Sequence, residues 1–209
     1  MLSAYKTIEK EAREEYIVKK SRFISNIRPV TSQQEALDFI NDISKKHWDA
    51  THNVYAYILR ENCVERFSDD GEPQGTAGIP ALDVLRKNGV TDCCVVVTRY
   101  FGGIMLGAGG LVRAYSHSAA IATEKAGIIT RDICAVLKIT CDYDFYGKLS
   151  SLIPENGGKT DSVDFADKVT AVFHLRKNSM KRFNDLLTDA SNGKYKTEFL
   201  SERYETVYD

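Results

Sequence analysis

No stretch of about 18 apolar residues occurs in this sequence, and no basic start leads into an apolar run, so neither a membrane-spanning helix nor an export signal is expected. Charge of one sign is also missing. With 28 basic against 29 acidic residues the formal net charge is −1, which excludes a global basic field that gathers nucleic acid non-specifically; any polyanion site must be local. The five cysteines, Cys63, Cys93, Cys94, Cys134 and Cys141, are odd in number and form no C-x-x-C pair. They read as apolar filler in strands, and a reducing cytosol is expected. Also lacking are G-x-S-x-G, G-x-G-x-x-G and the G-x-x-x-x-G-K-[ST] phosphate loop, so no catalytic residue is assigned and no cofactor is expected.

What remains is an ordinary globular composition, 43% hydrophobic and 27% charged, over 209 residues, enough for one large or two small domains. The segment EEYIVKKSRFISNIRPV alternates as two strands, apolar at Tyr16 and Val18 and at Phe23 and Ile27. Ser32 with Glu35 forms a capping-box pattern ahead of a helix striped by Ala36, Leu37, Ile40 and Ile43. Residues Asn53 to Leu59 and Cys63 to Phe67 predict an antiparallel hairpin. A short helix from about Pro80 to Asn88, a strand from Cys93 to Thr98 and a helix from Leu111 to Lys125 follow, with stops at Gly89 and Gly127. The second part reads strand Ala135–Cys141, helix Asp144–Ile153, strands Lys159–Phe165 and Val169–Leu175, helix Ser179–Ala190 and strand Tyr195–Ser201, with Asn178 as cap and Gly193 as stop. That βαββαβ order is the ferredoxin-like signature. The fold class is therefore α+β in two domains, 1–132 and 135–209.

Two loops can carry chemistry. In SDDGEPQGTAGIP, Ser68 to Pro80, the acids Asp69, Asp70 and Glu72 stand among glycines. This is a solvated surface connection, a set of oxygens for a hard cation, or a partner contact through Gln74, Thr76 and free amides. Their spacing matches no calcium loop, and no metal is assigned. His47 and His52 lie five apart without a Cys pair, which does not make a zinc site. In TRYFGGIMLGAGGLVRAY, Thr98 to Tyr115, a strand runs through Arg99 and Tyr100 into Gly102, Gly103, Gly107, Gly109 and Gly110, then into a helix bearing Arg113 and His117 on one face. Free amides ahead of a helix N-terminus suit phosphate, with Arg99 and Arg113 adding charge and Tyr100 and Phe101 stacking on bases. The structural alternative is glycines that let helix and sheet pack closely.

The words HNVYAYI (52–58), SDDGEPQGTAGIP (68–80) and VVVTRYFGGIMLGAGGLVRAYSHSA (95–119) resemble the YigZ/IMPACT family over roughly residues 15 to 130. This resemblance implies a first domain of the β/α sandwich fold found in a small-subunit ribosomal protein, in domain four of elongation factor G and in GHMP kinases. The second domain is similar to the bacterial members' ferredoxin-like module, itself like domain five of elongation factor G. The implied role is a translation-linked binding or regulatory protein that meets RNA or the ribosome at Arg99, Tyr100 and Arg113, with His52 in the first matching word. An enzyme of a phosphorylated small molecule and a pure protein-interaction module stand as alternatives. Neither a membrane nor DNA sequence readout is expected.

Overall fold

The structure, a computed structural model, describes residues 4–207. It divides into two compact units, the first ending at Thr130 and the second beginning at Arg131. The first unit holds β1 (Tyr5–Ile8), β2 (Ala12–Val18), β3 (Ser21–Pro29), α1 (Gln33–Lys46), β4 (His52–Leu59), β5 (Val64–Ser68), α2 (Gly78–Asn88), β6 (Cys93–Tyr100) and α3 (Ala108–Ala126). Strands β2-β3-β6-β4-β5 form one sheet in that order, each neighbouring pair antiparallel.

The central strand β6 is apolar without a break because both of its faces are covered. Cys93, Val95 and Val97 pack with Phe23, Ile27, Val54 and the inner faces of α2 and α3. Cys94 and Val96 face the other way, into a cluster with Phe39, Ile40 and Ile43 of α1. This period of two decides where every later residue of the strand points. On α1 the Ser32 hydroxyl accepts from the Glu35 amide at 3.2 Å, while the Glu35 carboxylate reaches the Thr31 amide at 2.6 Å instead of closing the box on Ser32. The buried stripe runs through Phe39; Leu37, expected in it, is partly exposed, one helical position out of phase with the sheet.

Strand β7 (Ile128–Cys141) begins before the division between the units and carries the chain across it, so no break occurs at residues 132–135. The second unit continues with α4 (Tyr143–Glu155), β8 (Lys159–Phe165), β9 (Val169–Arg176), α5 (Met180–Ser191) and β10 (Glu198–Val207). The sheet order β10-β7-β9-β8 with both helices packed on it is the ferredoxin-like arrangement, and Leu137, Ile139, Phe173, Leu149 and Phe183 fill its core. Asn178 is not the cap of α5. A 3-10 turn, Lys177–Ser179, feeds the helix directly, and Ser179 at the cap position makes no side-chain capping bond. The last strand starts at Glu198, not Tyr195, because the Tyr195 hydroxyl is drawn to Asp142 Oδ2 at 2.8 Å.

Four cysteines are buried in strands, and burial pushes the Cys93 thiol up to about 12. Cys63 departs from the expectation: it is exposed, in a short 3-10 turn where Asn62 and Cys63 take positive φ. Among the described residues no helix is long and apolar enough to cross a membrane.

Candidate functional site

Both loops leave the same end of the first sheet. The register pairs Val18 with Ser21, Arg22 with Tyr100 and His52 with Arg99, so the β2–β3 turn, the exit of β6 and the entry of β4 share that end, as does the exit of β5 at Ser68. The chain between α1 and β4 arrives there too. A five-stranded sheet thus gathers residues separated by up to 80 positions in sequence.

Arg99 follows Cys93, Val95 and Val97 onto the helix-covered face and is buried, which removes it from the set of surface phosphate contacts. Its Nη1 donates to Glu72 Oε1 at 2.6 Å, and its guanidinium lies 5.4 Å from the ring centroids of both Phe23 and Phe101. The same Glu72 oxygen accepts from the Tyr115 hydroxyl at 2.7 Å, and His52 Nε2 stands 3.8 Å away. Burial, reinforced by the adjacent Glu72 charge, drives the Tyr115 hydroxyl far above its ordinary pKa. Arg99, Glu72 and His52 of this group line a cleft of about 360 Å³ together with Phe101, Met105 and Leu106 and with Gly107 and Ala108 at the start of α3.

The acids of the first loop face separate partners and form no common acidic surface. Asp69 accepts from the amides of Gly75, Ala77 and Gly78 at 2.8, 3.1 and 2.8 Å, doing for α2 what the methyl group of its N-cap Ala77 cannot. Asp70 Oδ2 accepts from the Asn53 amide at 2.6 Å, and the Asp70 carbonyl holds His52 Nδ1 at 2.7 Å. Glu72 turns inward. The buried Thr76 hydroxyl donates to the Pro73 carbonyl at 2.6 Å, while Gln74, like Asp70, is exposed. The loop is therefore a built structure, not a solvated connection.

Tyr100, on the opposite face from Arg99, is half-buried beside α1. It donates to Asp49 Oδ1 at 3.0 Å and stands 3.0 Å from His47 Nδ1. With the tyrosine proton committed to Asp49, Nδ1–H of His47 donates to Tyr100, and the buried Nε2 lacks a partner. Burial first, then the charges of Lys46, Arg13 and Arg22 against the opposing Asp49, lower the His47 pKa. The unfolded ring, with its ordinary value near about 6.5, takes up a proton before the folded one does. Stability is accordingly expected to fall as pH drops below about 6.5, by at most about 1.4 kcal/mol per pH unit from this group. Melting temperatures from pH 7.5 to 5.5 check it; a His47→Gln variant should flatten the profile, and an unchanged slope would sink the assignment.

Arg113 and His117 are exposed along α3, His117 resting on the Tyr16 ring at 4.5 Å. Gly103 and Gly107 take positive φ, 80° and 72°, while Gly109 and Gly110 lie in the first turn of α3. Gly102 packs against the backbone of Lys20. That contact brings in residues that pattern reading passed over. Lys19 and Lys20 form the two-residue turn between β2 and β3, both at positive φ (46° and 67°), where Asn-Gly is the usual choice. Trp48, the chain's one tryptophan, is 83% exposed just past α1. The available signals were the solitary tryptophan lying beyond the helical stripe and a lysine pair between two alternating runs.

A two-unit α+β architecture with this loop pair defines the class, and comparison with known proteins supplies the family. The Impact N-terminal domain matches residues 19–123, and a domain of unknown function, DUF1949, matches residues 139–194. The chain belongs to the IMPACT family. It is 39% identical to IMPACT family member YvyE of Bacillus subtilis (strain 168), over 93% of this chain and 90% of that protein. It is 32% identical to IMPACT family member YigZ of Escherichia coli (strain K12), over 84% and 88% respectively. A solved structure described as a hypothetical protein aligns with a TM-score of 0.61 and 29% identity, covering 97% of this chain and 100% of that one.

Proposed function

We propose that the protein is a cytoplasmic, translation-linked binding protein that holds single-stranded RNA, on the ribosome or free, across the loop-bearing end of the first sheet. The observation that carries this reading is the Lys19-Lys20 turn. Two non-glycine residues at positive φ each cost of order 1 kcal/mol, and such strain is kept where it positions something. Here it projects two exposed cations at the sheet end that also carries Phe101, 48% exposed, and the segment with Trp48; Arg22 at that end is already paired with Glu15 at 3.1 Å. Cations for phosphates and aromatic faces for bases are the two components of sequence-tolerant single-strand binding. Arg113 extends the basic surface along α3 and replaces the buried Arg99 in that role.

Cosedimentation with ribosomes, and binding of short RNA, across a salt series tests it. Lys19→Asn with Lys20→Gly should raise the melting temperature, because the turn loses its strain, while weakening RNA binding and shallowing the salt slope by roughly 1 to 2. Unchanged affinity in that variant would overturn the reading.

A further inference from the structure

The second unit carries a cavity of about 670 Å³ at the end of its sheet where β8 begins and β9 ends, lined by Cys134, Lys159, His174, Arg176 and Glu205 among others. Its size is that of a small-ligand site. Phe173 and Leu175 of β9 face the helix-covered core, so by alternation His174 and Arg176 lie on the opposite face of the sheet. Even there His174 is only 8% exposed. A β-bulge accounts for its setting: β8 inserts Asp161 between Thr160, paired with Phe173, and Ser162, paired with Val172. The Asp161 carboxylate stands 2.8 Å from His174 Nδ1 and is itself held by Arg203 Nη2, 2.9 Å from each of its oxygens. Nδ1 is thereby committed to Asp161. Nothing among the described residues bonds to Nε2, which keeps contact with solvent on the side of the cavity. Lys159 stands directly opposite His174 in the register, is exposed, and makes no ion pair among the described residues. Glu205 gives Oε1 to Arg203 Nε, and its Oε2 receives no donor among the described residues. Apart from the His174 ring, no aromatic side chain among the described residues lines the cavity.

We propose that this cavity binds a small phosphorylated sugar or polyol, its phosphate held by His174 and Lys159 and one of its hydroxyls donating to Glu205 Oε2. One proton shared between His174 Nε2 and the phosphate serves in either form of the ring. A charged imidazole donates it to a phosphate oxygen, and a neutral one accepts it from the P–OH of the monoanion. The Lys159 ammonium adds a charge-assisted bond beside it, and the Asp161 charge is already matched by Arg203 and does not oppose the phosphate. A nucleobase finds no aromatic wall to stack on, which selects a hydrophilic ester over a nucleotide. The inference is independent of the RNA reading, which concerns the first unit.

Isothermal titration calorimetry of the full chain with ribose phosphate, glycerol phosphate, inorganic phosphate, ribose and AMP tests it. The two esters should bind at least roughly tenfold tighter than inorganic phosphate, the effect of the added hydroxyl bond to a carboxylate. Ribose should not bind, and AMP should gain nothing over ribose phosphate. Lys159→Ala changes an exposed side chain and should keep the melting temperature, while His174→Gln removes the shared proton site. Each should weaken ester binding at least roughly tenfold. No binding of either ester, or affinities that Lys159→Ala leaves unchanged, overturns the inference. Inorganic phosphate bound as tightly as its esters, or AMP bound roughly tenfold tighter than ribose phosphate through stacking, overturns it as well.

Discussion

Glu72→Ala is expected to lose about 3–5 kcal/mol of folding stability, because it strands the Arg99 guanidinium and the Tyr115 hydroxyl without their shared acceptor. Both partners are nearly inaccessible to water, so solvent cannot take over the bonds, and cation–π contact with Phe23 and Phe101 does not replace a carboxylate. The size of the loss identifies its cause. Adding Arg99→Met to Glu72→Ala removes the stranded charge while retaining much of the apolar volume. The double variant should therefore be more stable than Glu72→Ala alone, with a coupling term above about 1 kcal/mol. Urea denaturation of the four proteins measures it. A Glu72→Ala loss below about 1 kcal/mol, or strict additivity, would show that the pair is not the keystone of the cleft.

Gly102→Ala should be nearly as damaging for a purely steric reason. A Cβ built there would stand 2.1 Å from the Lys20 carbonyl carbon, 2.2 Å from its oxygen and 2.4 Å from the Ser21 nitrogen, all backbone atoms that cannot rotate away. Either the β2–β3 turn or the exit of β6 must move, at a cost of about 3 kcal/mol or more, and the Gly102 amide loses its bond to Ser21 Oγ. Gly103→Ala supplies the contrast. Its Cβ meets nothing within 4 Å, and the only penalty is the positive φ of 80°, about 1 kcal/mol. Thermal unfolding of the two single variants separates these outcomes; equal small losses would mean that the turn and the loop are not in contact. Because the displaced turn carries Lys19 and Lys20, RNA affinity should fall with Gly102→Ala even at temperatures where the protein is folded.

These two positions also show how far the sequence could be read. The glycine cluster announced a demanding backbone, but which glycine answers a close approach and which a positive φ depends on a turn some 80 residues earlier. Arg99 reads as a surface cation in the sequence because β6 is apolar on both faces, which erases the alternation that shows which way a side chain points. Glu72 sits in a loop, where no periodicity exists to predict direction. Trp48 and the Lys19-Lys20 turn fall outside every regular pattern, and lysine carries no turn propensity to flag them.

The amino-acid sequence by itself determined the two-part α+β plan, almost every element, the capping of α1 by Ser32, the stops at Gly89 and Gly127 and the family motifs, since each depends on residues close together in the chain. Only the tertiary structure decided that Arg99, Glu72, Tyr115 and His52 form one buried group, that Asp69 caps α2, and that two lysines and a tryptophan share the end of the sheet with Phe101. Strand register and helix packing bring together residues that no local rule connects, and it is there that charges become either buried partners or exposed contacts.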